Sequence, residues 1–362
     1  MIKDKLDDFL EKALINYDLP GLAVSAGTIS GSTGSPSCSF GETAGFTYRK
    51  ALGYKDLVTK APLLPEHIFH MASVTKLFVG TSILLLREKG LIDLDGALTD
   101  YLPWFQLKDD RYRLITIRHL LSHTAGLTDV QDYHWDKPET DEGALERYVR
   151  SREVLESSLL WSPSDGKFSY SNIGYEILGV VIATVSGMPF EEYVRENIFR
   201  PLEMHDSTLL TYERGIYEGE QAWPSNLCTP HEKDEQKNIV RSKHFPYNRA
   251  HGPSSTLTSN VTDLEKWGLA HLGKKVLKKE TYDLAWTPQA LVPNNGEQIC
   301  LGWFCREQNG FTLFGHEGTD DGFRASFWIC PERSLYLIVC SNISNAPVKK
   351  ISKQVFDLIC SE

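Results

Sequence analysis

The pattern of apolar and polar positions predicts that the chain opens with a helix, two strands and a second helix. Apolar residues recur at helical spacing between residues 2 and 14, and the apolar run Gly21–Ile29 is typical of a strand. A second strand is predicted at Phe46–Gly53, and an apolar helix at Ser73–Lys89. Residues 30–45 are rich in glycine and serine, which predicts an extended surface loop.

The middle of the chain differs from its two ends. Roughly residues 96 to 250 carry helix-type periodicity with many loops and few strand-like runs. Strand-like runs return at Phe311–Phe314, Phe323–Cys330 and Leu335–Ser341. We therefore predict an α+β protein in which residues 1–95 and 255–362 form one sheet region. A mostly helical region, residues 96–254, would be inserted into it, with an active site in the cleft between the two.

Two helices near the end of the chain show capping signals. Thr262 and Glu265 have the spacing of a capping box ahead of an apolar helix predicted at Leu264–Leu272. A closing helix is predicted over Ala346–Cys360, with Asn345 as its N-cap. Both predictions place the helix start at a side chain whose oxygen accepts a backbone N–H.

Composition and charge exclude several classes of protein. Of the 362 residues, 41% are hydrophobic and 24% charged, which is the balance of an ordinary globular protein. The apolar runs are shorter than the ~18 residues that a membrane span needs. A net charge of -10 repels phosphate backbones and anionic lipids, so we expect neither a nucleic-acid nor a membrane partner. The expected partner is a small-molecule substrate, and the sequence does not indicate an oligomeric state.

The cysteines and the N-terminal residues bear on the cellular compartment. The chain has 7 cysteines, an odd number, and none shows the C-x-x-C spacing of a zinc ribbon or a redox dithiol. The first residues predict an acidic amphipathic helix and not a secretory signal. Free thiols without such a signal predict a cytoplasmic protein.

Two S-x-x-K sequences occur, and their settings differ. Ser73 and Lys76 lie at the start of the predicted apolar helix, whereas Ser164 and Lys167 lie in a turn rich in proline, glycine and serine. Residues three apart share a helix face, so Lys76 can reach the Ser73 hydroxyl. The helix N-terminus favours developing negative charge, and burial lowers the pKa of a lysine until it can accept the serine proton. The alternative is a capping serine beside a solvated lysine.

Two histidines have a spacing that also occurs in zinc sites. His119 and His123 lie four apart on a predicted helix, but the glutamate of H-E-x-x-H is missing and no third ligand is evident. We expect no metal and no other cofactor, and we expect these histidines to stabilise a loop near the active site. No G-x-S-x-G occurs, so the serine does not lie in an α/β-hydrolase elbow.

Two further motifs follow the first S-x-x-K. Y-S-N stands at Tyr170–Asn172 and H-E-G at His316–Gly318, after a predicted strand. The order S-x-x-K, Y-x-N, H-x-G resembles the serine β-lactamase and penicillin-binding protein superfamily. The chain has neither the S-D-N nor the K-T-G of class A enzymes. Its Y-S-N and H-E-G are similar to the motifs of class C β-lactamases, D-aminopeptidases and related esterases. Stretches such as L-I-T-I-R-H-L-L-S-H-T-A-G-L extend the resemblance over most of residues 19–330.

The resemblance implies a β-lactamase-like fold and a metal-independent serine hydrolase that works through an acyl-enzyme. Ser73 would be the nucleophile, Lys76 its proton partner, and Tyr170 a second general acid or base whose phenol pKa the lysine ammonium lowers. Whether Lys76 or Tyr170 takes the first proton stays open, because coupled groups titrate together. His316 would take part in the tyrosine–serine proton network, and Asn172 would hydrogen-bond the substrate's amide or acyl side chain. The backbone N–H groups of Ser73 and Thr319 would form the oxyanion hole. The strand residues that would line the substrate are Glu317, Gly318 and Thr319.

Two departures from the family pattern bear on the substrate. His316 stands in place of a permanent lysine cation, and Glu317 adds a carboxylate that Asp320 and Asp321 follow at once. Because β-lactams and D-Ala-D-Ala peptides present a carboxylate near this strand, we expect poor penicillin hydrolysis and a preference for small esters, amides or D-amino-acid derivatives. A true β-lactamase or D,D-carboxypeptidase is one alternative. A non-catalytic protein that binds a ligand or acts as a scaffold is another.

Overall fold

The computed structural model describes residues 2–29, 44–214 and 225–361. Most of the loop predicted at residues 30–45 therefore lies outside the described residues. The helices are α1 (Ile2–Asn16), α2 (Thr75–Glu88), α3 (Leu98–Tyr101), α4 (Ile117–Leu121), α5 (Ala144–Val149), α6 (Arg152–Leu155), α7 (Asn172–Ser186), α8 (Phe190–Val194), α9 (Gly252–Ser255), α10 (Val261–Leu272), α11 (Lys279–Ala285) and α12 (Val348–Cys360). The strands are β1 (Gly21–Ile29), β2 (Ala44–Asp56), β3 (Ala61–Pro62), β4 (Phe69–His70), β5 (His231–Lys233), β6 (Ile239–Arg241), β7 (Thr258–Ser259), β8 (Ala290–Leu291), β9 (Gln298–Ile299), β10 (Phe304–Gln308), β11 (Phe311–Asp320), β12 (Phe323–Cys330) and β13 (Leu335–Ser341).

Nine of these strands form one antiparallel sheet, in the order β3-β2-β1-β13-β12-β11-β10-β9-β8. Strand β1 pairs with β13, with Val24 opposite Val339, so strands from opposite ends of the chain are neighbours in the sheet. Ala23 and Val24 point to opposite faces of β1, and both are fully buried, which shows that both faces of the sheet are covered. The antiparallel sheet of the predicted α+β fold is confirmed.

Helices α1 and α12 cover one face of the sheet. Leu6, Leu10 and Ala13 lie three or four positions apart on α1 and are buried together. On α12, Ile351 and Val355 repeat the same spacing and join the same core. The helices predicted at the two ends of the chain therefore flank the sheet together.

The opposite face is covered by α10 and by the helical middle of the chain. Trp267 of α10 stacks on Phe78 of α2, with ring centroids 4.2 Å apart, which joins the sheet to the helical region. The two belong to one continuous apolar core. The predicted boundaries between the two regions, near residues 95 and 255, stay a prediction.

Helix α7 lies inside the helical region and packs against α2, α4, α5 and α9. All of its residues from Asn172 to Ile182 are buried, so its apolar character reflects a core position. Among the described residues, no single helix is long and apolar enough to cross a membrane. Within the described ranges, one bent pair has the required length and composition, namely α7 together with Phe190–Phe199 across a bend of 76°.

The predicted cap of α10 is wrong. The helix begins at Val261, and Asn260 caps it because the side-chain oxygen accepts the Asp263 N–H at 2.8 Å. Glu265 does not close a capping box with Thr262. Its carboxylate accepts a hydrogen bond from Arg49 of β2 at 2.8 Å, so a tertiary partner takes the group that the capping box would use.

The predicted start of α12 is also wrong. The helix begins at Val348, two residues later than expected, and Pro347 is its N-cap instead of Asn345. Proline disfavours helical backbone in the residue before it, which moves the start of the helix to the C-terminal side of Pro347.

Candidate active site

Ser73 lies in a tight turn directly before α2. Residues Ala72–Val74 form a 3₁₀ turn in which Ala72 has a φ of +48°, a backbone conformation that residues with a Cβ rarely adopt. The Thr75 hydroxyl donates to the Ala72 carbonyl at 2.6 Å and holds the turn. Ser73 stays partly exposed, whereas the α2 residues that follow are buried.

This turn packs directly against β11. The H-E-G motif was expected after a strand, but β11 continues to Asp320 and contains the motif. A Cβ on Gly318 would lie 2.1 Å from the Met71 carbonyl oxygen, so only glycine permits this approach. The close packing puts Thr319 and Ser73 on the wall of the same cleft.

Two side chains hydrogen-bond the Ser73 hydroxyl oxygen. Lys76 Nζ donates to Ser73 Oγ at 3.0 Å, and Tyr170 Oη donates to it at 2.9 Å. Lys76 Nζ also donates to the Ser254 carbonyl at 2.7 Å, which fixes the amine between the turn and α9. The S-x-x-K and Y-S-N motifs are therefore brought together at one oxygen atom.

The second S-x-x-K is separate from this group. Ser164 and Lys167 are exposed, and Lys167 pairs with Asp165 at 3.6 Å. Gly166 between them adopts a left-handed conformation, so the four residues form a turn and not one helix face.

Burial shifts the pKa values of Lys76 and Tyr170 in opposite directions. Burial lowers the pKa of Lys76 to about 8, although the negative charges of Glu176, Asp129 and Asp320 partly oppose this change. Burial raises the pKa of Tyr170 well above its usual value, so the predicted lowering by the lysine ammonium is wrong. The ammonium faces the Tyr170 ring at 5.1 Å from its centroid and donates to Ser73, not to the phenol oxygen.

His316 is neutral and makes no hydrogen bond to Tyr170 or Ser73. Burial lowers the pKa of His316 to about 3, helped by the nearby Lys76 charge. Its Nδ1 lies 2.6 Å from the Glu317 carbonyl oxygen, and its Nε2 is buried with no partner among the described residues. The ring centroids of His316 and Tyr170 are 6.2 Å apart, so His316 does not join the tyrosine–serine hydrogen bonds directly.

Asn172 is held by a carboxylate that the sequence reading missed. Its backbone N–H and its side-chain Nδ2 donate to Asp129 Oδ1 at 2.7 and 3.0 Å. This fixes the amide nitrogen and leaves the amide oxygen of Asn172 as its acceptor atom. Asp129 lies in a loop with no motif of its own, so no local signal identified it.

Glu317 faces a polar side of the cleft. It accepts hydrogen bonds from Trp328 Nε1 at 2.7 Å and from Ser326 Oγ at 3.2 Å, and Arg306 lies 3.6 Å from the same oxygen. Burial raises the pKa of Glu317, opposed by the positive charge of Arg306. Its negative charge is therefore partly compensated by a neighbouring cation.

The two histidines with zinc-like spacing have structural contacts. His123 stacks on Tyr170, with ring centroids 4.4 Å apart, and its Nδ1 accepts the Ser171 N–H at 3.2 Å. His119 forms a capping box with Thr116 at the start of α4. Within residues 2–29, 44–214 and 225–361, no group of three or more His, Cys, Asp or Glu side chains could hold a metal ion.

The cleft that contains Ser73 has a volume of about 520 Å³, which suits a small organic molecule. Lys76 and Gly318 lie behind its wall. Six residues singled out from the sequence line the cleft: Ser73, Tyr170, Asn172, His316, Glu317 and Thr319. Asp320, which follows the H-E-G motif, also lines the cleft. The remaining lining residues were not singled out from the sequence: Tyr133, Phe168, Ser255, Val292, Asn295, Glu297, Phe304, Trp328 and Lys349.

Residues 40–357 match the family model described as Beta-lactamase. The chain belongs to the β-lactamase family. Among curated proteins it is similar to Penicillin-binding protein 4* of Bacillus subtilis, 28% identical over 71% of this chain and 56% of that protein. It is also similar to Protein flp of Staphylococcus aureus, 25% identical over 83% of this chain and 58% of that protein. The chain thus spans little more than half the length of these relatives.

Solved structures support the same family fold. An octameric penicillin-binding protein homologue from Pyrococcus abyssi has a TM-score of 0.84 at 24% identity, covering 100% of this chain and 78% of that one. A D-amino acid amidase from Ochrobactrum anthropi has a TM-score of 0.76 at 20% identity, covering 99% of both chains. The β-lactamase-like fold predicted from the motifs is confirmed.

Proposed function

We propose that this family member is a serine hydrolase that acts through an acyl-enzyme on a small ester, amide or D-amino-acid derivative. The observation that carries the proposal is the pair of hydrogen bonds to Ser73 Oγ. One comes from Lys76, a buried amine with a pKa near 8, and the other from Tyr170, which keeps its proton at neutral pH. Acyl transfer needs a base that can accept a proton near neutral pH and an acid that still carries its proton there.

In the proposed mechanism, each proton moves in one direction. Neutral Lys76 takes the Ser73 proton as Ser73 Oγ attacks the substrate carbonyl carbon. Backbone N–H groups of Ser73 and Thr319 would stabilise the oxyanion, an interaction whose loss typically costs about 3 kcal/mol of transition-state binding. Tyr170 donates its proton to the leaving group. Water then attacks the acyl group and gives its proton to the Tyr170 oxygen, and Ser73 leaves with the proton that the Lys76 ammonium returns along their hydrogen bond.

The charge along β11 supports a substrate without a carboxylate at this position. Glu317 and Asp320 both line the cleft beside Thr319, and an anionic substrate group would approach them closely. A β-lactamase or D,D-carboxypeptidase activity is the second candidate, supported by the name of the penicillin-binding relative. We propose that such activity is poor because these carboxylates repel the carboxylate of a β-lactam.

A fluorophosphonate probe with intact-mass detection tests the nucleophile. We expect one adduct on the wild type, none on Ser73→Ala, and an unchanged adduct on Ser164→Ala, the serine of the exposed second S-x-x-K. Absence of an adduct, or equal labelling of Ser73→Ala, would refute the hydrolase and favour a non-catalytic role. Turnover of nitrocefin with a higher kcat/KM than p-nitrophenyl esters would instead favour the β-lactamase.

A further inference from the structure

Asp320 is a cleft carboxylate that the proposed mechanism does not use. It is the last residue of β11 and follows Thr319 directly. His70 Nε2 lies 2.7 Å from Asp320 Oδ2, and the Ser255 hydroxyl donates to the same oxygen. His70 is fully buried and Ser255 nearly so, and only 10% of the Asp320 side chain is exposed. Two buried partners on one oxygen fix the carboxylate and leave Oδ1 as its other acceptor.

Asp320 lies close to the reacting atoms. Residues along a strand advance by about 3.3 Å, so Asp320 is one such step from the Thr319 N–H that would bind the oxyanion. On its other side, Ser255 directly follows Ser254, whose carbonyl accepts the Lys76 amine. The negative charge of Asp320 is also one of those that act on Lys76. A substrate with its carbonyl at Ser73 would therefore share the cleft with this carboxylate.

The partners of Asp320 distinguish it from the other carboxylates of the cleft. Lys349 pairs with Glu297 at 2.5 Å, and Glu317 has Arg306 at 3.6 Å. Among the described residues, by contrast, no lysine or arginine forms an ion pair with the Asp320 carboxylate. The nearby Arg324 donates to the backbone carbonyl of Asp320 instead. One buried partner of Asp320 is a histidine, His70, whose Nδ1 makes no hydrogen bond within the described residues.

We propose that Asp320 binds a substrate ammonium group, so that the cleft selects aminoacyl amides and esters with a free amine. This inference rests on the proposed hydrolase function and names its substrate class. An α-ammonium is only two bonds from the scissile carbonyl carbon, which matches a carboxylate one strand residue from the oxyanion donor. The ammonium supplies the charge that no lysine or arginine of the described residues brings to Asp320, and a charge-assisted hydrogen bond forms between them. Asp320 is thus a specificity-determining residue.

The test compares alanine p-nitroanilide with its N-acetyl derivative, in both configurations. In the wild type we expect kcat/KM for the free amine to exceed that for the acetylated substrate by at least about 10-fold. In Asp320→Asn this ratio should fall by about 10- to 100-fold, the range expected for the loss of one charge-assisted hydrogen bond. In Asp321→Asn, the matched control at the exposed neighbouring carboxylate, the ratio should not change.

Each alternative outcome has a separate meaning. A wild type that cleaves the acetylated substrate equally well, or an Asp320→Asn variant that keeps the ratio, would refute ammonium binding. If Ser73 is labelled by the fluorophosphonate but the free amine is not preferred, this inference fails and the hydrolase stands. If Ser73 is not labelled at all, the proposed function itself fails. The wild-type comparison needs no variant, so the inference remains falsifiable even if Asp320→Asn does not fold.

Discussion

Lys76 holds a buried positive charge behind Ser73, and replacing it with methionine tests what that charge does to stability. Burial lowers the pKa of Lys76 from 10.5 to about 8. Unfolding returns the amine to water and to the higher value, so the unfolded chain binds the proton more tightly. Stability therefore rises with pH between about 8 and 10.5, by about 3 kcal/mol in total at 1.36 kcal/mol per unit. Below pH 8, burial of the charged amine therefore lowers the free energy of unfolding by the same amount, about 3 kcal/mol.

Urea unfolding of the wild type and of Lys76→Met at pH 7 and pH 9 measures this effect. The free energy of unfolding of the wild type, minus that of the variant, should be greater at pH 9 by about 1 kcal/mol. Methionine has a similar length and no charge. The variant also lacks the hydrogen bonds from Lys76 to Ser73 and Ser254, and this loss changes the free energy of unfolding similarly at both pH values. Groups that titrate in both proteins also contribute equally to the two free energies. Those contributions cancel in the comparison.

The exposed Lys167→Met variant is the matched control, and its difference from the wild type should not depend on pH. A Lys76 difference that is the same at pH 7 and pH 9 would refute the lowered pKa. A difference that falls as the pH rises would show the opposite, an amine whose pKa is raised by its carboxylate neighbours. Either result would also remove Lys76 as the neutral base of the proposed mechanism.

Three further predictions concern the site and its scaffold. Tyr170→Phe should lower kcat/KM for p-nitrophenyl esters by about 10²- to 10⁴-fold. An unchanged rate of fluorophosphonate labelling at Ser73 in this variant would contradict the role of Tyr170 as a proton donor. Gly318→Ala should lower the free energy of unfolding by about 1–3 kcal/mol, measured with heat or urea, because the added methyl group would meet the Met71 carbonyl oxygen. A fully stable variant would disprove that close contact. Asn260→Ala should cost at least about 1 kcal/mol in the same assay and Thr262→Ala clearly less, and the reverse order would restore the capping box predicted from the sequence.

Local spacing was enough to predict the parts of the site that lie on one element. Ser73 and Lys76 are three residues apart at the start of a helix, and that spacing alone brings their side chains together. The terminal helices were equally predictable, since positions such as Leu6 and Leu10 repeat at the helical period.

Features that depend on partners distant in the sequence were missed or misread. Glu265 has the spacing of a capping residue but binds Arg49, 216 positions away. Asp129 carries no local signal. Asp320 was noticed only as a carboxylate that follows the H-E-G motif, because the fold alone brings His70 and Ser255 to it. The pKa of Tyr170 was misjudged because the direction of its neighbour's amine and the extent of burial are both tertiary properties.

The pairing of β1 with β13 has a consequence for how the chain acquires its structure. The Ser341 hydroxyl donates to the Gly21 carbonyl across 320 positions of sequence, and β13 lies between β1 and β12 in the sheet. During synthesis, β1 cannot gain this neighbour until Ser341 has left the ribosome, more than three hundred residues after β1. Contacts of such high sequence separation slow folding and leave open strand edges in the incomplete chain. Deletion of the C-terminal strand and helix would therefore split the sheet in its middle, and we expect it to abolish folding instead of trimming one edge.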